Sequence, residues 1–128
     1  MKNISFIGLG AMGSPMALNL IKSKNKLFLF DINKKNYEPF KKKAVIAGDL
    51  KELTQNSKIF ISMLPDGKAL SKLVLGKKGI INYVKKDSVF IDCSSVDYKT
   101  TLEISKAFKK KGIKFLDAPV SGGVSGAK

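Results

Sequence analysis

The run Gly8-Leu9-Gly10-Ala11-Met12-Gly13 constrains this chain more than any other feature. It ends an apolar run, Asn3 to Gly8, in which Ile4, Phe6 and Ile7 supply the apolar content. It also opens a segment in which Met12, Met16 and Leu20 recur every four residues, with Ala17 and Ile21 beside them. A strand that enters a glycine turn and leaves as a helix with one apolar face needs a sheet on which to bury that face. Pro15 falls in the first helical turn, where its missing N–H removes no intrahelical bond.

The same alternation continues along the 128 residues. Lys26 to Phe30 reads as the second strand, ending at Asp31. Asn36 to Lys43 is expected to form a short polar helix, Ala44 to Ile46 a short strand and Asp49 to Gln55 a helix. Lys58 to Met63 reads as a well-buried strand, stopped by Leu64-Pro65-Asp66-Gly67. Leu70, Leu73 and Val74 mark the next helix, and Ser88 to Asp92 the next strand. Asp97 is placed to cap a helix that turns Ile104, Ala107 and Phe108 inward and ends at Lys109-Lys110-Lys111-Gly112. Lys114 to Ala118 is the sixth strand. Strands alternating with helices imply one α/β domain over residues 1–128, a doubly wound, mainly parallel sheet with helices on both faces. Val120 to Lys128 reads as a glycine-rich loop from which a further element is expected to lead, so the domain is read as cut within that region.

In the glycine run each position has a mechanical use. Gly8 serves a tight turn, Gly10 admits the close approach of a pyrophosphate, and Gly13 lets helix and strand pack closely. The helix aims its unpaired N–H groups and positive dipole end at the phosphates. Such a run alone is a weak signal, but here a strand precedes it, a helix follows it, and Asp31 closes the second strand. The Asp31 carboxylate accepts from adenosine ribose hydroxyls, which favours NAD. A 2′-phosphate about 4–6 Å away would cost on the order of a few kcal/mol at an effective dielectric near 20. NADP is therefore disfavoured, although Lys34 and Lys35 lie close enough in sequence to soften the penalty.

Composition narrows the alternatives. The formal charge is +14, yet all 24 basic residues are Lys and they are dispersed along the chain, with no run longer than a triplet. A surface built to read nucleic acid is expected to use the planar fork of Arg somewhere, so no specific nucleic-acid partner is expected. The chain has no His, which removes the commonest acid–base group, and a single Cys, which excludes an internal disulfide and a cysteine-cluster metal site. Cys93, in the apolar context Val89-Phe90-Ile91-Asp92-Cys93, is expected to be a structural thiol. No apolar run reaches membrane-spanning length and no signal peptide is recognisable, so a cytoplasmic protein without a membrane partner is expected.

Four motifs in order carry a family resemblance: Ile7-Gly8-Leu9-Gly10-Ala11-Met12-Gly13-Ser14-Pro15-Met16-Ala17, Met63-Leu64-Pro65-Asp66-Gly67, Asp92-Cys93-Ser94-Ser95-Val96-Asp97 and Asp117-Ala118-Pro119-Val120-Ser121-Gly122-Gly123. Together with Leu75-Gly76-Lys77-Lys78-Gly79-Ile80, the chain resembles the N-terminal, Rossmann-type domain of the β-hydroxyacid dehydrogenases. The last motif is more similar to 3-hydroxyisobutyrate dehydrogenase than to 6-phosphogluconate dehydrogenase.

The resemblance implies an oxidoreductase that takes a 3-hydroxy acid to its semialdehyde by hydride transfer to NAD. It implies cofactor contacts from Gly8, Leu9, Gly10, Ala11, Met12, Gly13 and Asp31, from the backbone at Leu64 and Pro65, and from Ser95 near the nicotinamide ribose. Ser121, Gly122 and Gly123 would hold the carboxylate of a small hydroxy-acid substrate. Each of these segments also has a plain structural reading: a Pro-Asp-Gly turn, a helix cap, a flexible glycine loop. Ala69 stands where the family often has a polar residue. The family's proton-transferring Lys belongs to a helix leading into an all-helical C-terminal domain, and none of the Lys residues here sits in a matching motif. The chain alone is therefore expected to bind cofactor without turnover and to hold no catalytic residue and no metal site. A full-length form is expected to be a homo-oligomer. Two other readings stay open: a stand-alone nucleotide-binding or regulatory module, and a basic protein that contacts nucleic acid.

Overall fold

The computed structural model describes residues 2–128. Six strands form one sheet: β1 Asn3–Ile7, β2 Lys26–Phe30, β3 Val45–Ile46, β4 Ile59–Ser62, β5 Val89–Asp92 and β6 Lys114–Asp117. Every neighbouring pair is parallel and the order is β3-β2-β1-β4-β5-β6. Chain order therefore reverses direction between β1 and β4, and a crevice opens at the carboxyl ends of those two strands. The helices are α1 Gly13–Lys22, α2 Leu50–Thr54, α3 Gly67–Leu75, α4 Tyr98–Lys110 and α5 Gly123–Ala127.

The period-2 alternation of the strands divides the core into two. Ile4, Phe6, Leu27 and Leu29 face α1 and the buried Phe40. Ile7, Phe28, Phe60 and Phe90 turn to the other face, against Leu53 of α2, Leu70 and Val74 of α3, and Ile104 and Phe108 of α4. Phe60, Phe90 and Phe108 are fully buried, with Phe90 and Phe108 centroids 4.9 Å apart. Each such side chain contributes about 1.5–3 kcal/mol through burial, so this face anchors β4 and β5 firmly beneath the crevice.

Three helices start on the residue type expected. Asp49, Asp66 and Asp97 occupy N-cap positions and accept hydrogen bonds from the backbone N–H of Glu52, Ala69 and Thr100. The predicted polar helix over Asn36 to Lys43 is a 3₁₀ segment instead, Lys34–Phe40, followed by a turn. Pro39 supplies no N–H and disfavours helical backbone at Glu38, so an α-helix cannot propagate there. Nor is the segment wholly polar, since Phe40 is fully buried. The final glycine-rich stretch also departs from the loop expected of it. Gly122 and Gly123 take φ of 107° and 63°, and Gly123–Ala127 wind into α5. The Asn19 side-chain amide of α1 donates to the Ala127 carbonyl at 2.7 Å, giving this helix an anchor that local composition does not announce.

Candidate functional site

The glycine turn sits at the crevice, and its three glycines are not equivalent. Gly8 has φ of 95°, and a Cβ there would lie 2.2 Å from the Met63 carbonyl oxygen. A Cβ on Gly13 would lie 1.8 Å from the Gly8 carbonyl oxygen. Both positions must be glycine for the turn to close at all. At Gly10 a Cβ would meet nothing within 4 Å. Protein packing therefore makes no demand for glycine at Gly10; the open space lies outside the chain, beside the start of α1. Gly10 and Ala11 are exposed and Met12 is partly so, whereas Leu9 is buried. At the start of α1 the Ser14 and Met16 N–H groups already donate to the Gly10 and Met12 carbonyls and Pro15 has none, so the open N–H groups lie at Gly10 to Gly13.

Asp31 follows β2 and is tied to this turn. Its Oδ2 accepts from the Leu9 N–H at 2.7 Å and from the Asn36 side-chain amide at 3.1 Å. Its Oδ1 accepts from the Asn33 N–H at 2.7 Å. The Tyr37 hydroxyl brackets its backbone, donating to the Asp31 carbonyl and accepting from the Asp31 N–H. Burial, opposed in part by that hydrogen bond, raises the Tyr37 phenol above its ordinary value, so it stays protonated and able to donate. The carboxylate is thus held in one orientation at the β2 side of the crevice. Ile32, next in the chain, is 94% exposed and offers a bare apolar surface beside it. The roles of Asn36, Tyr37 and Ile32 were not read from the sequence; an Asn and a Tyr five and six residues after the strand-end Asp are the only local hint.

On the other side of β1, Leu64 and Pro65 leave β4 directly against the glycine turn, with Leu64 Cδ2 3.0 Å from where a Gly8 Cβ would be. The loop after β5 adjoins them. A Cβ on Gly67 would lie 2.8 Å from Asp97 Oδ1 and 3.0 Å from Val96 Cγ1. Ser95 is exposed on that loop, while its neighbour Ser94 is fully buried and accepts from the Leu64 N–H at 2.8 Å. The Thr100 N–H and hydroxyl hold the Asp97 carboxyl below the ordinary carboxylate range. Cys93 is buried, and burial together with the charge of Asp92 pushes its thiol up, which fits an inert packing role. The structure thus brings the glycine turn, Asp31, Leu64, Pro65 and Ser95 to one edge of the sheet. Ser121, Gly122 and Gly123 follow β6 at the same edge, all exposed. A shallow depression of about 590 Å³ at the opposite edge, lined by Lys2, Asn3, Gln55 and Lys58, includes none of them.

A turn that reserves open space over a helix N-terminus, paired with a fixed carboxylate at the end of β2, is the arrangement that holds the pyrophosphate and ribose of a dinucleotide. Residues 3–128 match the model of the family described as the NAD binding domain of 6-phosphogluconate dehydrogenase. The chain belongs to that family. Its place there makes it an NAD(P)-binding domain. It is similar to the 3-hydroxyisobutyrate dehydrogenase of Pseudomonas aeruginosa, 37% identical over 100% of this chain and 43% of that protein. A 2-(hydroxymethyl)glutarate dehydrogenase from Eubacterium barkeri is 37% identical over 98% of the chain and 42% of its own length. Among solved structures, a Mycobacterium tuberculosis 3-hydroxyisobutyrate dehydrogenase with L-serine superposes with a TM-score of 0.89 at 29% identity, over 98% of this chain and 43% of that one. The chain thus spans about two fifths of the length of these relatives. Among the described residues no helix is long and apolar enough to cross a membrane.

Proposed function

We propose that this chain is the NAD-binding part of a dehydrogenase that oxidises the primary alcohol of a small 3-hydroxy acid to a semialdehyde. The observation that carries this reading is the difference among the three glycines: packing demands Gly8 and Gly13, while Gly10 faces open space that a pyrophosphate would fill. Gly10 through Gly13 would take the phosphates on backbone N–H groups, while the N–H groups of Gly8 and Leu9 hold the turn to Phe30 and Asp31. Asp31 would accept from the adenosine ribose and exclude a 2′-phosphate, favouring NAD over NADP. Leu64, Pro65 and Ser95 would line the nicotinamide half, where the cofactor takes up a hydride.

The names of the relatives support a substrate class. 3-Hydroxyisobutyrate, 2-(hydroxymethyl)glutarate and L-serine share a carboxylate whose α-carbon carries a CH₂OH group. Ser121, Gly122 and Gly123 would hold that carboxylate through one hydroxyl and exposed N–H groups. As the carbinol carbon gives its hydride, its hydroxyl proton must pass to a base within hydrogen-bond reach. The family resemblance would put that base on a lysine in a motif that none of these residues matches, and binding without turnover is proposed for residues 1–128 by themselves. A cytoplasmic setting and a homo-oligomeric full-length form belong to the same proposal, to be checked by fractionation and light scattering.

The test is a fluorescence titration with NADH, repeated with Gly10→Val. The variant is expected to keep its thermal midpoint and lose binding by at least about a hundredfold, since a branched side chain would occupy the pyrophosphate space. Undiminished binding in a folded variant would sink the proposal.

A further inference from the structure

A carboxylate is buried where the described site gives it no work. Asp92, the last residue of β5, is 1% exposed. Its Oδ1 accepts three hydrogen bonds: from the Ser62 hydroxyl at 2.8 Å, the Ser94 hydroxyl at 2.7 Å and the Ser94 N–H at 3.2 Å. Its Oδ2 is buried with no partner among the described residues. A carboxylate in that position costs more than an apolar residue of similar size would, so its presence calls for a gain elsewhere.

The gain lies in what Ser94 does next. With its hydroxyl hydrogen directed at Asp92, Ser94 Oγ keeps its lone pairs as acceptors and takes the Leu64 N–H at 2.8 Å. The peptide between Met63 and Leu64 is planar and trans, so its carbonyl points away from its N–H. That Met63 carbonyl oxygen is the atom a Gly8 Cβ would strike at 2.2 Å. One peptide plane is therefore gripped on one side by Ser94 and abuts the glycine turn on the other. Asp31 fixes the adenosine side at β2, so the β4–β5 side of the crevice is left to the nicotinamide half.

We propose that Asp92 and Ser94 form a positioning relay, which sets the Met63–Leu64 peptide and with it the Leu64–Pro65 edge of the crevice against the nicotinamide half of the cofactor. Neither residue touches the cofactor; both act through Leu64. The inference rests on the dinucleotide-binding reading, and the experiment separates the two. NADH and ADP-ribose, which lacks the nicotinamide, are titrated against the unmodified chain, Ser94→Ala and Asp92→Asn. Ser94→Ala is expected to weaken NADH about tenfold and ADP-ribose less than about twofold, because one hydrogen bond to the Leu64 N–H is lost on one half of the site. Asp92→Asn keeps an oxygen acceptor for the serines and is expected to hold NADH affinity within about threefold of the unmodified chain.

Equal losses for the two ligands, or none, in a folded Ser94→Ala variant overturn the relay while leaving dinucleotide binding intact. Failure of the unmodified chain to bind either ligand overturns the reading beneath it, and the relay falls too. Amide hydrogen exchange of Leu64 in the unmodified chain is an independent check that needs no variant: slow exchange is expected, and exchange as fast as an exposed loop overturns the relay.

Discussion

Two strand–glycine–helix turns stand near the two ends of this chain, and they are built on different principles. The first, from β1 through Gly8 and Gly13 to α1, is closed by packing: a methyl group at either glycine would collide with a backbone oxygen. It is also bolted sideways, by the Leu9 N–H to Asp31 and by the Met63–Leu64 peptide against Gly8. The second, from β6 through Gly122 and Gly123 to α5, has glycines that owe their identity to positive φ alone. A Cβ on Gly123 would meet nothing within 4 Å, and one on Gly122 only Gly126 Cα at 3.6 Å. The flanking Leu116, Val120 and Val124 stay well exposed. A rigid turn suits a cofactor whose phosphates need N–H groups already in place, because preorganisation spares the ordering cost on binding. The second turn carries little that fixes it except the Asn19 contact to Ala127.

That contrast can be broken by substitution. The largest effect is expected at Gly13→Ala. A Cβ 1.8 Å from a backbone oxygen cannot be absorbed by a flexible side chain, so a loss of more than about 3 kcal/mol, or failure to fold, is expected in urea denaturation. A loss under about 1 kcal/mol would show that the first turn is no more packed than the second. Next comes Asp31→Ala, measured as the ratio of NADH to NADPH affinity. The preference for NADH is expected to fall at least about tenfold, because the carboxylate that repels a 2′-phosphate is gone. Taking the ratio cancels any loosening of the turn through the lost Leu9 hydrogen bond, and an unchanged ratio would remove Asp31 from cofactor choice. The smallest effect is expected at Gly123→Ala, about 1–2 kcal/mol for a left-handed φ with free space around it. A change as large as that at Gly13 would erase the distinction.

Much of the α/β alternation was legible in the residues because it is local. Period-four apolar spacing in α1, period-two spacing in the strands, and Asp caps three residues ahead of the N–H groups that donate to them all express themselves within one or two turns of chain. The 3₁₀ segment was misread because the polar pattern around Asn36 outweighed Pro39, whose missing N–H decides the backbone there. The terminal α5 was not legible because two of its five residues, Gly123 and Gly126, oppose a helix and its anchor, Asn19, is 108 residues away in the chain.

By itself, then, the sequence determined the order of the elements, the glycine turn and the acidic residue that follows β2, since each depends on neighbours only a few positions apart. It assigned Gly8, Gly10 and Gly13 to turn, pyrophosphate and packing by motif position alone; the Met63 carbonyl that closes over Gly8 reaches its place only once β4 pairs with β1. It could not join Asp92 to the cofactor edge. The links from Ser62 to Asp92 and from Leu64 to Ser94 each span 30 residues. Only the parallel register of β4 on β5, which sets Ser62 opposite Asp92, brings a buried carboxylate within reach of that loop. Hydrogen bonds of that kind follow from tertiary pairing, and no local pattern announces them.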